Sequence, residues 1–286
     1  MNNEACSKAY SKAKSFIKKY GMFYAIGILI AFALKYYYSK ADAEALDWIL
    51  APTVRWVRVL CGITFEKQQG VGYVNHEYQF IIAPVCAGMN FMVIAFSTLI
   101  FSFTHRIKTW KGRLLWMGSC LFIVYLYTIL VNSLRIIPSM FLLQLDIYNG
   151  WITTERVHTI EGTVVYFASL LLLYFIVDEV LKRISPVHKK NRHTEESYIG
   201  KSNTGKSSAG ETYVRKASSS ILYRYSIPVL LYFAITLGIP FINGAFRNNR
   251  ADFLEHAALV AVVCAVVILF LAILLILKKR LKGKVS

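Results

Sequence analysis

The sequence predicts an all-α protein built as a polytopic transmembrane bundle of about six spans. Three observations carry that reading. Of the 286 residues, 56% are hydrophobic, 14% aromatic and only 17% charged, a balance that soluble domains do not show. Ala257 to Leu277 is a run of 21 residues without a charge, enough to cross a hydrocarbon core of about 30 Å at 1.5 Å per residue. The Lys and Arg residues cluster just outside the apolar runs.

In chain order the candidate spans cover about residues 21–38, 87–103, 114–134, 160–178, 225–243 and 257–277. The first follows Lys8, Lys12, Lys14, Lys18 and Lys19 and has the outline of a signal sequence, with Ala41 to Ala45 as a possible cleavage site. It continues through Tyr36, Tyr37 and Tyr38, however, which suits an interfacial aromatic belt, so an uncleaved anchor is the favoured reading. Asp47 to Phe65 is also apolar but carries Arg55 and Arg58 in its middle. Each such charge costs about 2.5–3.5 kcal/mol at a bilayer centre, so this segment is expected to lie along the interface. From Gly70 to Ile82, turn residues followed by partly alternating apolar positions predict a short strand or hairpin leading into Pro84 and Cys86.

Orientation follows from charge. Residues 1–20, 104–113, 182–224 and 278–286 hold 24 of the 33 Lys and Arg residues. An even number of spans puts all four segments on one side, and the positive-inside rule makes that side the cytoplasm. The expectation is a multi-pass protein of the cytoplasmic (inner) membrane with both termini inside. The stretch from Ser185 to Ser220, rich in Ser, Lys, Gly and Thr, reads as a flexible linker. It divides the chain into a four-span core (1–184), a basic cytoplasmic linker (185–224) and a two-span appendage (225–286).

The net charge of +17 raises the question of nucleic acid, but no recognition helix or aromatic nucleotide-binding signature accompanies the basic residues. Membrane lipids are the expected partner of that charge. Five cysteines (Cys6, Cys61, Cys86, Cys120 and Cys264) are odd in number and unpaired in spacing, indicating neither a disulfide framework nor a zinc knuckle. No metal, nucleotide or other cofactor site is indicated, and oligomeric state is left open.

The chemistry-bearing residues converge in depth. Counting along the spans from their inner ends, Cys86 lies 17 residues from Phe103, Arg135 lies 21 from Leu114 and His158 lies 20 from Asp178. These are depths of roughly 26, 32 and 30 Å, all at the same non-cytoplasmic boundary. A Cys, a His and an Arg supply a nucleophile, a base and an oxyanion stabiliser, the set required for acyl transfer through a thioester. Pro84 precedes Cys86 and an apolar run follows it, so the thiol falls near a helix N-terminus, where thiolate is favoured. Gly88 permits close approach of a neighbouring backbone. Asn132, three residues before Arg135, is placed to hold the guanidinium or a substrate carbonyl, and Glu161, one turn after His158, to orient the imidazole. Each residue also has a bland reading: a buried inert Cys, an Arg reaching toward headgroups and an interfacial His with a capping Glu. His76, in the outer loop, is the rival imidazole.

At Cys86-Ala-Gly, Asn132-Ser-Leu-Arg135 and His158, in that order at the outer ends of successive spans, the chain resembles the exosortase/archaeosortase family of membrane-embedded cysteine transpeptidases and proteases. The resemblance covers roughly residues 45–180, and a compact Bacteroidetes-type exosortase is the subtype it suggests. It implies Cys86 as nucleophile, His158 as acid/base and Arg135 as the group that orients or stabilises the reacting carbonyl. It also implies partners that are exported proteins carrying a C-terminal motif, a transmembrane helix and a basic tail. The competing class is a non-enzymatic scaffold or transporter-like protein that binds a lipid head group or an exported polymer. Transport is disfavoured by the lack of paired acidic residues within spans and of two similar halves.

Overall fold

A computed structural model describes residues 3–145, 148–184 and 226–282. The linker expected at 185–224 lies outside the described residues, as does the side chain of Cys6. The architecture is an all-helical bundle with one small sheet. Five helical segments are long and apolar enough to cross a membrane: Lys14–Lys40, Pro84–Arg106, Trp110–Leu142, Thr154–Ile184 and Arg250–Leu274. The fifth of the six expected spans in chain order, at about residues 225–243, is the shorter apolar helix Ser226–Ile242, which falls below the length of these five.

The long first helix, α1 (Asn3–Lys40), packs along α3 (Met89–Phe103). Their backbones come close where Gly27 faces Ile100, and Tyr24 stacks on Phe101 with ring centroids 5.4 Å apart. Nearly every side chain of α3 is buried, so this helix is the axis around which α1, α4 (Trp110–Leu142) and α5 (Thr154–Ile184) assemble. An all-round apolar helix is the sequence form that such a central position demands.

Between α1 and α3, α2 (Asp47–Cys61) lays Ile49, Leu50, Thr53, Val54 and Val57 inward and leaves Arg55 and Arg58 exposed. It rests against α4: the Tyr125 hydroxyl donates to the Trp48 carbonyl at 2.9 Å and Ser133 Oγ to the Thr53 carbonyl at 3.3 Å. The predicted hairpin is a three-stranded antiparallel meander, β1 (Glu66–Gln68), β2 (Gly72–Asn75) and β3 (Phe80–Ile82), with Val74 opposite Glu66 on one side and Ile81 on the other. Gly72 is required there, because its φ of +122° is closed to other residues and a Cβ would sit 2.5 Å from the Ile82 carbonyl oxygen. The sheet is tied to α2 through Asp47, which accepts from Tyr73 at 2.7 Å and pairs with Lys67 at 2.9 Å. It therefore holds the strand-to-turn exit ahead of Cys86 in a fixed place.

Beyond the core, α6 (Ser226–Ile242), a short α7 (Ala245–Asn248) and α8 (Arg250–Lys282) follow. α8 packs on α5, Tyr232 of α6 meets Phe167 edge-on at 5.0 Å, and Arg156 pairs with Glu255 at 2.6 Å. At the end of the bundle opposite Cys86, buried Asp178 of α5 pairs with Arg106 at 2.6 Å and Lys182 at 2.7 Å.

Candidate active site

Cys86 sits in a single 3₁₀ turn, Pro84–Ala87, ahead of α3 rather than in its first turn. Pro84 opens the turn with a fixed φ and no N–H to leave unpaired, and the Cys86 N–H closes it on the Ala83 carbonyl at 2.8 Å. Gly88 then reverses the chain at φ +70° so that α3 can begin at Met89. A Cβ at Gly88 would lie 3.2 Å from both Asn132 Cγ and Thr128 Cγ2, so the glycine lets the turn lie directly on α4.

α4 supplies the next layer. Thr128, Asn132, Arg135 and Ser139 recur at helical spacing and are all buried, a polar stripe in an otherwise apolar helix. Pro138 does not end that helix, which runs on to Leu142 and so carries Ser139 one turn beyond Arg135. Asn132 Nδ2 donates to the Cys86 carbonyl at 2.5 Å. Arg135, 6% exposed, directs Nη1 to the Tyr166 hydroxyl at 3.0 Å and Nη2 to His158 Nε2. The Tyr166 hydroxyl in turn donates a hydrogen bond to Asn132 Oδ1 at 2.9 Å. One connected set of side chains therefore runs from His158 through Arg135, Tyr166 and Asn132 to the backbone of the cysteine.

Because a guanidinium has only donors, Nε2 of His158 accepts, and its proton resides on Nδ1. The imidazole lies at the exposed mouth of a narrow cleft lined by Ser139, Leu142, Tyr148, Val157, His158 and Glu161. No hydrogen bond joins Cys86 Sγ to His158; Arg135 lies within electrostatic reach of the thiol and contacts the imidazole. Glu161 does not orient the imidazole. It accepts from Ser139 Oγ at 2.6 Å and sits 3.8 Å from Arg135 Nε, giving the buried guanidinium a counter-charge. Arg135 Nε and Glu161 Oε1 are buried without a hydrogen-bond partner. Among the described residues, no three His, Cys, Asp or Glu side chains converge as a metal-ligand set. His76 lies at the end of β2 beside Gln68 and Glu66 and takes no part in this network.

A family model described as transmembrane exosortase (Exosortase_EpsH) matches residues 14–175, more than half of the chain and all of the residues just described. The chain belongs to the exosortase family. It is therefore an integral membrane protein of a family of membrane transpeptidases and proteases that act on exported proteins with C-terminal sorting signals. No curated protein and no solved structure matches it. Two residues of this exosortase's network escaped sequence reasoning. Ser139 was hidden behind Pro138, although its spacing of four from Arg135 was a usable signal. Tyr166 lies eight residues after His158, two turns on along one face of α5, but one tyrosine among 18 does not stand out.

Proposed function

We propose that this exosortase is a membrane-embedded cysteine peptidase or transpeptidase that cuts C-terminal sorting signals at the outer face of the cytoplasmic membrane, through a thioester at Cys86. The observation that carries this reading is the link from the buried Arg135 to His158 on one side and, through Tyr166 and Asn132, to the turn bearing Cys86 on the other. A buried guanidinium needs such partners, and these partners are the groups that acyl transfer uses.

In the proposed reaction the substrate carbonyl draws Arg135 away from His158, freeing Nε2 to accept the thiol proton. The Cys86 sulfur bonds to the carbonyl carbon while the carbonyl electron pair moves to oxygen, where Arg135 stabilises it. Collapse expels the amine of the C-terminal fragment, which takes the proton back from the imidazolium. Water or an acceptor amine then attacks the thioester, losing its proton to His158 as the thiolate departs and is reprotonated. The sheet and α2 stand ahead of the cysteine in chain order, and residues 1–184 form the catalytic core of this reading, with 225–286 as an appendage. Both termini lie in the cytoplasm.

The test is processing of an exported protein from the same genome that ends in a recurring short motif, an apolar run and basic residues. Cys86→Ala and His158→Ala are each expected to lose about 10⁴-fold in rate while inserting normally. Arg135→Ala is expected to leave the same substrate unprocessed. Normal processing by Cys86→Ala removes the proposal.

A further inference from the structure

We infer that Tyr166 is a positioning residue of the active site, which sets the direction of both Arg135 and Asn132 through its hydroxyl; this rests on the peptidase reading above. A phenol has one proton to give and lone pairs to receive. Arg135 Nη1 can only donate, so at 3.0 Å the Tyr166 oxygen must accept from it, and the phenol proton is left for Asn132 Oδ1 at 2.9 Å. With its oxygen so occupied, the Asn132 amide must present Nδ2 toward the Cys86 carbonyl, where it lies at 2.5 Å. The donors therefore all point one way, from the guanidinium to the backbone of the nucleophile's turn. A chain of this kind is strengthened by the charge at its head. Among the described residues, Tyr166 is the one side chain hydrogen-bonded to both Arg135 and Asn132.

The ring is fixed independently of the hydroxyl. Tyr166 stacks on Phe91 of α3, ring centroids 5.1 Å apart and planes inclined by 15°, and Arg135 lies over its face at 5.4 Å. Removing the oxygen alone therefore leaves the packing in place while the guanidinium loses a direction and the Asn132 amide loses the constraint on its orientation. A matched control exists in the same pair of helices. Tyr127 of α4 donates to the Ser169 carbonyl of α5 at 2.8 Å and its ring flanks the same Phe91 at 6.0 Å, but its hydroxyl has no hydrogen bond to Cys86, Asn132, Arg135 or His158.

The experiment measures kcat and KM for sorting-signal cleavage, normalised to the amount of membrane-inserted protein, for Tyr166→Phe, Tyr127→Phe, Asn132→Ala, the Tyr166→Phe/Asn132→Ala double variant and Cys86→Ala. Tyr166→Phe is expected to lower kcat by about ten- to a hundredfold, the scale of a hydrogen bond to a charged group, with KM within about twofold. Tyr127→Phe is expected to match the unaltered enzyme. In the Asn132→Ala background the tyrosine substitution should cost less than in the unaltered enzyme, because the part of its effect carried by the amide is already gone while its bond to Arg135 remains. Full additivity, an unchanged kcat in Tyr166→Phe, or a loss only in the amount of inserted protein overturns the assignment. Cys86→Ala that still processes substrate removes the peptidase reading together with it. An inactive Cys86→Ala beside a fully active Tyr166→Phe removes the role of the tyrosine alone.

Discussion

Arg135 illustrates how a single side chain sets terms for its surroundings. A guanidinium at this depth cannot shed its proton, so it must find acceptors or a counter-charge. It obtains them from Tyr166, His158 and Glu161, all on α5. The fork geometry matters as much as the charge, since Nη1 and Nη2 serve different partners. Arg135→Lys, which keeps the charge and loses the fork, is expected to retain membrane insertion and lose about a hundredfold in kcat; a lysine enzyme within a few-fold of the original rate would refute a role for guanidinium geometry. Cys86, Arg135 and His158 were identifiable from their positions at the ends of apolar runs. Tyr166 and Ser139 were not, because their significance lies in whom they touch.

At the scale of elements, the 3₁₀ turn and Gly88 place the cysteine. An alanine at Gly88 must adopt a left-handed conformation costing about 1–2 kcal/mol, and its Cβ presses on Asn132 and Thr128. Gly88→Ala is expected to lower both the melting temperature in detergent and the processing rate, and an unaltered rate would show that the turn need not lie on α4. The sheet has its own signature in pH. Burial and the hydrogen bond to Asp47 push the Tyr73 phenol up from 10.0 to about 12. The folded state thus holds a proton that the unfolded chain gives up. The associated stability is complete below pH 10 and is lost as pH rises toward 12. Conversely, the hydrogen bond from Lys67, with that from Tyr73, holds the Asp47 carboxyl below its ordinary 3.8, so its contribution is present above that value and fades in more acid solution. Thermal stability should therefore decline between pH 10 and 12 less steeply in Tyr73→Phe than in the original protein. Equal slopes would discount the pair. The meander as a whole was only partly legible: turn residues marked it, but three short strands gave too few alternations to count.

The whole molecule is a bundle whose site lies at one end and whose buried Asp178 cluster lies at the other. Asp178→Ala would leave Arg106 without this carboxylate and Lys182 with Glu179 at 3.8 Å, with an expected loss of about 1.5–3 kcal/mol, measured as reduced resistance to denaturation with the site residues untouched. Orientation is testable through Cys61, a half-buried free thiol just after the exposed Arg58. With Cys86 replaced by Ser, a membrane-impermeant maleimide applied to intact cells is expected to label Cys61. Labelling only after the membrane is opened would invert the proposed topology.

The long apolar helices, their order and the positions of Cys86, Arg135 and His158 at the ends of apolar runs were already determined by the linear chain, because crossing a bilayer imposes a length and an apolar content that local composition alone must satisfy. What the chain could not state was that α4 would run through Pro138, that Glu161 would turn to Arg135 rather than to the imidazole, or that a tyrosine would join the guanidinium to the amide beneath the cysteine. Those are matters of the azimuth and spacing of packed helices. They are settled by which side chains interlock between α3, α4 and α5, and apolar periodicity along one helix carries no record of its neighbours.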